Sequence, residues 1–359
     1  MPKTSWIALL APVLLSTTAC GSGSGEGDSA GNDGLTTFNT SFDTSFDTGE
    51  GEDDPTGNDG TVKLDTLEDD EGRSTAGNEE GGAKGCKAID FLFVIDNSGS
   101  MGDNQTNLIS SFPGFIQKIQ EVVADVDSYH VMVVKTDELW NSCQIECAFF
   151  PFLCQFGDIN ACNGAPSICD DTMGAGVNFP IGGGASNQYC ELTGGQRYIT
   201  PQEPLDLLPS KFTCTAKVGT DGSGSEKQME AMTEALSPAL NGPGGCNSGF
   251  LRDDAVLVIT IITDEEDSHS SGTPDSWYQS VIAQKGDPDG VVVLGLINDT
   301  DAGNPVCPAE SQDPAKIREF IQKFPHQIIG SVCEANYAPF FNQAVDLIDT
   351  TCDEFDPIG

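Results

Sequence analysis

Phe91-Leu92-Phe93-Val94-Ile95 is an unbroken apolar run, and Asp96-Asn97-Ser98-Gly99-Ser100-Met101 follows it directly. An apolar run without alternation that ends in a turn signal reads as a strand buried on both faces. Asp96, Ser98 and Ser100 stand at i, i+2 and i+4 in a Gly-containing loop. In extended or turning backbone such positions point the same way, so the three side chains can face one point. Carboxylate and hydroxyl oxygens are hard ligands, which suit Mg²⁺, Mn²⁺ or Ca²⁺ and not Zn²⁺. The plainer alternative is a strand-to-helix turn in which Asp96 or Ser98 caps the helix.

Downstream, Leu108, Phe112, Phe115, Ile116, Ile119, Val122 and Val123 recur at helical spacing. Pro113 falls inside that pattern and predicts a helix start near Ser111 or a kink there. Residues 129–134, 255–263 and 290–297 read as further strands, 327–332 as a shorter one, and helical stretches fall at about 224–239, 274–285, 314–324 and 337–349. The alternation predicts an α/β fold, a doubly wound and mostly parallel sheet with helices on both faces. Ligands of such sheets bind at the carboxyl ends of the strands. Residues 140–215 break the rhythm with Gly- and Asn-rich runs and with Cys143, Cys147, Cys154, Cys162, Cys169, Cys190 and Cys214. They read as a disulfide-rich insertion, or as a separate small domain, with 197–200 as an edge strand completing the sheet.

The Asp-x-Ser-x-Ser pattern at the end of a buried strand resembles the metal-ion-dependent adhesion site (MIDAS) of von Willebrand factor A (VWA) and integrin inserted domains. The resemblance covers roughly residues 86–355, apart from much of the Cys-rich stretch. It implies a VWA fold with a site built from three loops. A Thr of the second loop matches Thr220 in Lys217-Val218-Gly219-Thr220-Asp221-Gly222, and an Asp at a later strand end matches Asp264 in Ile262-Thr263-Asp264. Asp96, Ser98, Ser100, Thr220 and Asp264 are thereby implied as metal ligands, direct or through water. One position stays open for a carboxylate offered by a protein ligand. The chain departs from the family twice. Gly222 stands where a second Thr is usual, with Ser223 and Ser225 nearby as alternative hydroxyls, and Glu265-Glu266-Asp267 follows Asp264 where the family has Gly. These acids can face water, recruit a second cation or fill the open position. Two aspartates balance a 2+ ion, which still attracts an incoming carboxylate; an ionised Glu265 beside it would weaken that pull.

Enzymatic chemistry is not expected. His130, His269 and His326 are scattered, and the Asp96 loop lacks the second Asp and the Lys of a phosphotransfer site. The insertion offers no nucleophile with a base. His269, in the acidic loop, reads as an exposed His or as a pH-sensitive neighbour of Asp264.

The chain has 359 residues, with 56 Asp+Glu against 16 Lys+Arg. Such a balance repels nucleic acid and anionic headgroups, and no nucleic-acid partner is expected. Lys3, the apolar stretch 6–15 and Thr17-Thr18-Ala19-Cys20 read as an export signal over 1–19. The last four residues resemble a bacterial lipobox, with Thr17 where Leu is usual. That resemblance implies a lipid on Cys20 and, with Gly21 next, an outer-membrane lipoprotein, periplasmic or surface-exposed; an ordinary secretory signal is the alternative. Residues 20–84 read as an acidic tether poor in apolar residues, able to span on the order of 45 Å. Of 13 Cys, setting Cys20 aside leaves an even set, which in an oxidising compartment predicts disulfides. Topology places Cys86, before the first strand, and Cys352, after the last helix, at the amino end of the sheet, and predicts that they pair. Cys307 and Cys333 each follow a strand and are expected to pair near the opposite end. The expected function is a cell-envelope lipoprotein with a cation-dependent protein-binding or adhesion domain. The alternative is an envelope scaffold whose metal only stabilises the fold.

Overall fold

The structure, a computed structural model, describes residues 86–123, 126, 128–309 and 311–355. The export signal, Cys20 and the tether lie outside these residues. In chain order the elements are β1 (Ala88–Ile95), α1 (Gly102–Val123), β2 (Ser128–Lys135), the short α2 (Gln144–Phe149), β3 (Gln155–Phe156), β4 (Ile159–Asn160), α3 (Leu208–Ala216), α4 (Gln228–Ala235), α5 (Pro238–Asn241), β5 (Val256–Ile262), α6 (Pro274–Lys285), β6 (Val291–Ile297), α7 (Ala315–Ile321), β7 (His326–Ser331) and α8 (Ala338–Glu354). Five strands form one parallel sheet in the order β2-β1-β5-β6-β7. This is the doubly wound α/β arrangement that the VWA resemblance implies. The strand order reverses between β1 and β5, and the crevice at a doubly wound sheet's reversal is where such folds place ligands.

β1 is the centre of the core, and every one of its residues is buried. Its alternate side chains serve two layers. Ile89, Phe91, Phe93 and Ile95 join Phe112, Phe115, Phe212 and Phe341 of α1, α3 and α8 on one face. Leu92 and Val94 join Met229, Met232, Trp277, Val281, Ile317 and Phe320 of α4, α6 and α7 on the other. The helix expected to start near Ser111 begins earlier, at Gly102, and runs through Pro113. Pro113 removes one helical hydrogen bond; burial of Phe112, Phe115 and Ile116 on the same turns compensates for it.

Two other expectations are corrected. The helix expected over 224–239 is shorter, because Lys227 N–H is held by the Thr136 carbonyl (3.1 Å) and Ser223 N–H by the Asp137 carboxylate (3.0 Å). It ends at Ala235, ahead of Ser237-Pro238, where Ser237 caps α5. The expected edge strand at 197–200 is a single antiparallel bridge: Ile199 exchanges two backbone hydrogen bonds with Val131. Arg197 is instead turned away, its guanidinium on Asp170 and on the Gly176 carbonyl. Residues 208–216, read as part of the insertion, form α3, whose Phe212 stacks on Phe112 of α1.

All twelve described cysteines are paired. Cys86 is bonded to Cys352 and Cys307 to Cys333. Cys143–Cys154 and Cys147–Cys162 clamp α2 and the β3–β4 hairpin into a small knob, Cys190–Cys214 closes on α3, and Cys169–Cys246 ties the Cys-rich segment to the chain beyond α5. The knob displays Ile145, Phe149, Phe150, Phe152 and Leu153 to solvent.

At the amino end of the sheet, the buried Asp90 of β1 is gripped by Arg252 through Nε (2.8 Å) and NH2 (2.6 Å). Burial pushes Asp90 up to about 6, against the pull of Arg252. His130 of β2 bonds the Phe250 carbonyl through Nδ1 (2.8 Å). Burial, helped by the Arg252 charge and opposed by that carbonyl, lowers His130 to about 4. The folded protein therefore binds fewer protons at His130 than the unfolded chain between pH 6.5 and 4. This contribution to stability is complete above pH 6.5 and is lost as pH falls toward 4, by an amount on the order of 2 kcal/mol. Urea unfolding across that range should show a shallower acid-side decline in His130→Gln than in wild type. Asp90 Oδ1 lies 3.4 Å from His130 Nδ1, so the difference reports the His130–Asp90 pair and not the imidazole alone.

Candidate metal centre

Asp96 is the first residue beyond β1, yet its N–H still bonds the Ile262 carbonyl of β5 (3.0 Å), so its backbone is fixed at the point of reversal. Its side chain is fully buried. Oδ1 accepts from Ser98 N–H (2.8 Å), and Oδ2 accepts from Thr263 Oγ1 (2.6 Å) and Gln228 Nε2 (3.3 Å). Ser98 is extended, with ψ 163°, which carries Ser98 and Ser100 to the same side. Their hydroxyls lie 3.1 Å apart, and Ser100 Oγ donates to Asp264 Oδ1 (3.0 Å). Asp96, Ser98, Ser100 and Asp264 are thus brought together, with Ser100 and Asp264 on the solvent side.

The loop 217–226 closes over them. Gln105, from the first turns of α1, donates to the carbonyls of Asp96 (3.1 Å) and Gly219 (2.7 Å) and accepts from Gly219 N–H (3.2 Å). Gly222 N–H donates to the Asn97 carbonyl (2.9 Å). The Asn97 side chain donates to Asp137 Oδ2 (3.2 Å), the acceptor that also takes Ser223 N–H. Thr220 lies over the turn, its carbonyl near Gly99 and its methyl near Gly102. Its hydroxyl, however, faces the Gly183 carbonyl of the Cys-rich segment (3.4 Å), and its N–H bonds the same oxygen (2.9 Å). Ser223 turns its hydroxyl to Ser225 N–H (3.0 Å).

The loop residue turned inward is Glu226, which the sequence pattern did not single out. It is 2% exposed and one carboxyl oxygen bonds Thr136 Oγ1. Burial, then the Asp96 carboxylate, with Asp137 and Glu265 adding, push Glu226 up to about 9 against the Thr136 hydrogen bond. Burial likewise raises Asp96 and Asp264, and Glu265 is raised by burial and by the Asp96 and Asp264 charges. Among the described residues no Lys or Arg forms an ion pair with these four acids. Negative charge, hard oxygens and the absence of a protein cation together fit a divalent ion.

The acidic run divides in three. Asp267 is buried and structural: it accepts Met229 N–H (2.8 Å) at the start of α4 and Ser270 N–H (2.8 Å). Glu266 accepts Lys316 N–H (2.9 Å) ahead of α7. Only Glu265 is left beside Asp264. His269 is exposed and gives its N–H to Asp267 (3.3 Å). A second cluster, the sulfurs of Cys147, Cys154 and Cys162, lies within 4.8 Å of one another, but all three are consumed in disulfides and offer no thiolate.

Gly222 holds the loop against the site. A Cβ there would meet Asn97 Nδ2 at 2.3 Å and the Asn97 carbonyl at 2.6 Å. Gly222→Ala should destabilise the domain by about 1–3 kcal/mol in urea unfolding, with Gly224→Ala, which meets nothing within 4 Å, as the silent control.

No family model and no curated protein matches the chain. Similar solved structures include proximal thread matrix protein 1 from the mussel byssus, 10% identical over 74% of this chain with a TM-score of 0.37. A structure of the same protein with a zinc-occupied MIDAS motif is 9% identical, also with a TM-score of 0.37. The match spans 49% of that mussel chain, about half its length.

Proposed function

We propose that this domain binds a divalent cation at Asp96, Ser98, Ser100 and Asp264 and uses the loaded loop face to recognise a protein ligand, without chemistry. Thr220 serves there through its backbone or a bridging water. The observation that carries the reading is the convergence of these four side chains from two strand ends at the sheet's reversal, with no Lys or Arg among the described residues paired to the two acids. Mg²⁺ is the first candidate, with Mn²⁺ and Ca²⁺ as alternatives. Ser100 and Asp264 border solvent, so a carboxylate from the ligand can complete the shell. In the same proposal the domain is an outer-membrane lipoprotein, held by lipid on Cys20 and lifted from the membrane by residues 21–84, facing the periplasm or the outside.

The scaffold reading, in which the ion only stabilises the loops, draws support from Glu265, whose charge beside Asp264 weakens capture of a carboxylate. One experiment separates the two. Titration of Mg²⁺, Mn²⁺ and Ca²⁺, with Zn²⁺ as the soft-ligand comparison, is followed by calorimetry and thermal melting. At a hundred times Kd the ion should add about 2.7 kcal/mol to stability, and Asp96→Ala should abolish the response. An equal response in the variant defeats the site. Peptides ending in Asp or Glu should then bind the Mg²⁺-loaded protein and lose binding in EDTA. Binding of the ion without any such peptide selects the scaffold.

A further inference from the structure

We propose that Glu226 is a third carboxylate ligand of the cation site, reaching it from the buried side; this rests on the cation reading of the Asp96 cluster. Glu226 lies between Gly222 and α4, in the loop pressed onto Asn97. One carboxyl oxygen meets the Thr136 hydroxyl, which has a single proton to share between it and Asn97 Oδ1 (3.1 Å). The other, Oε1, is buried and has no hydrogen-bond partner. An unpaired carboxyl oxygen in a residue only 2% exposed is costly unless something completes it.

The surroundings say what that is. The charges acting on Glu226 are those of Asp96, Asp137 and Glu265, all of one sign. Gln228, two residues on, donates through Nε2 to Asp96 Oδ2 (3.3 Å) and Thr263 Oγ1 (2.9 Å), while its own Oε1 is also buried and unpartnered. Two buried oxygens that accept nothing therefore belong to residues tied to Asp96, Gln228 by a hydrogen bond and Glu226 by charge. A bare cation satisfies both needs at once, because it supplies charge to the acids and electron-pair acceptance to the oxygens.

The consequence is a change in which ion fits and in how it is held. The ion displaces the proton that burial favours on Glu226, and with Asp96, Asp264 and Glu226 then ionised a 2+ ion leaves the site at net −1 rather than neutral. More carboxylates favour Ca²⁺, which takes six to eight oxygens in flexible geometry, over Mg²⁺, which demands a tight octahedron. Glu226 takes a position on the interior, so the side bordered by Ser100 and Asp264 stays accessible.

The test uses the whole chain and the metals alone. Ca²⁺ and Mg²⁺ affinities are measured by calorimetry for wild type, Glu226→Gln, Glu226→Asp and Glu234→Gln. Glu234→Gln removes the same charge from an exposed acid of α4. Glu226→Gln should weaken Ca²⁺ at least tenfold and shrink the Ca²⁺ preference over Mg²⁺, while Glu234→Gln changes affinity less than about twofold. Glu226→Asp keeps the charge but shortens the reach, and the same loss is expected. It also decides the matter if the Gln variant does not fold. Wild-type Ca²⁺ affinity in either folded Glu226 variant overturns the proposal and leaves the Asp96 site standing. A wild type that binds neither ion overturns both.

Discussion

Burying the Asp96 carboxylate at the end of the central strand is the constraint around which the neighbouring loops are arranged. A fully buried carboxylate needs donors at both oxygens. Ser98 N–H, Thr263 Oγ1 and Gln228 Nε2 provide them from three different segments. To bring those donors in, the chain must turn sharply after Ile95, β5 must end at Thr263, and α4 must start with Gln228 pointing inward. Gln105 and Gly222 then lock the remaining loop to the backbone of Asp96 and Asn97. Removing the buried acid would leave each of these contacts without its reason.

Two buried aspartates, one in β1 and one just beyond its end, are partnered differently. Asp90, at the amino end of β1, has its cation built in: Arg252 forks onto it, and Lys285 stands behind, donating to the carbonyls of Arg252 and Ala255. Asp96, at the carboxyl end, has only neutral donors and is surrounded by Glu226, Asp264 and Glu265. The protein closes one end of its sheet electrostatically and leaves the other negative. The fold gives one buried carboxylate a built-in cation, although burial still holds Asp90 up at about 6, and loads further acids around the other.

The strands were legible because burial on both faces leaves unbroken apolar runs, and 91–95, 255–263 and 290–297 carry them. Asp96, Ser98, Ser100 and Asp264 were legible because their positions are tied to strand ends. Thr220 lies where the loop pattern put it, but which way a loop hydroxyl points depends on a partner far along the chain, here Gly183. Glu226 was invisible for the same reason. It sits among Ser, Gly and Lys in what reads as a helix start, and only the fold reveals that Thr136, ninety residues earlier, turns it inward. Asp267 illustrates the converse: three consecutive acids look alike in sequence, yet one caps a helix, one holds a backbone N–H and one faces the site. Asp90 and Arg252 were missed because a buried ion pair leaves no periodicity. α3 was hidden by a Cys-rich neighbourhood whose composition reads as irregular.

The Cys86–Cys352 bond and the position of β1 also define how the domain would carry force. Cys86 stands at one end of β1 and Asp96 at the other. A pull on the chain ahead of Cys86, resisted by a grip at the Asp96 loop, runs along β1 itself. That strand is flanked on both sides, by β2 and by β5, in parallel registers that continue along its length. The load therefore acts in shear, on many hydrogen bonds together, and does not peel them one at a time. Because the disulfide joins the head of β1 to α8, part of the tension passes into that helix and its aromatic packing against α1 before the sheet is strained.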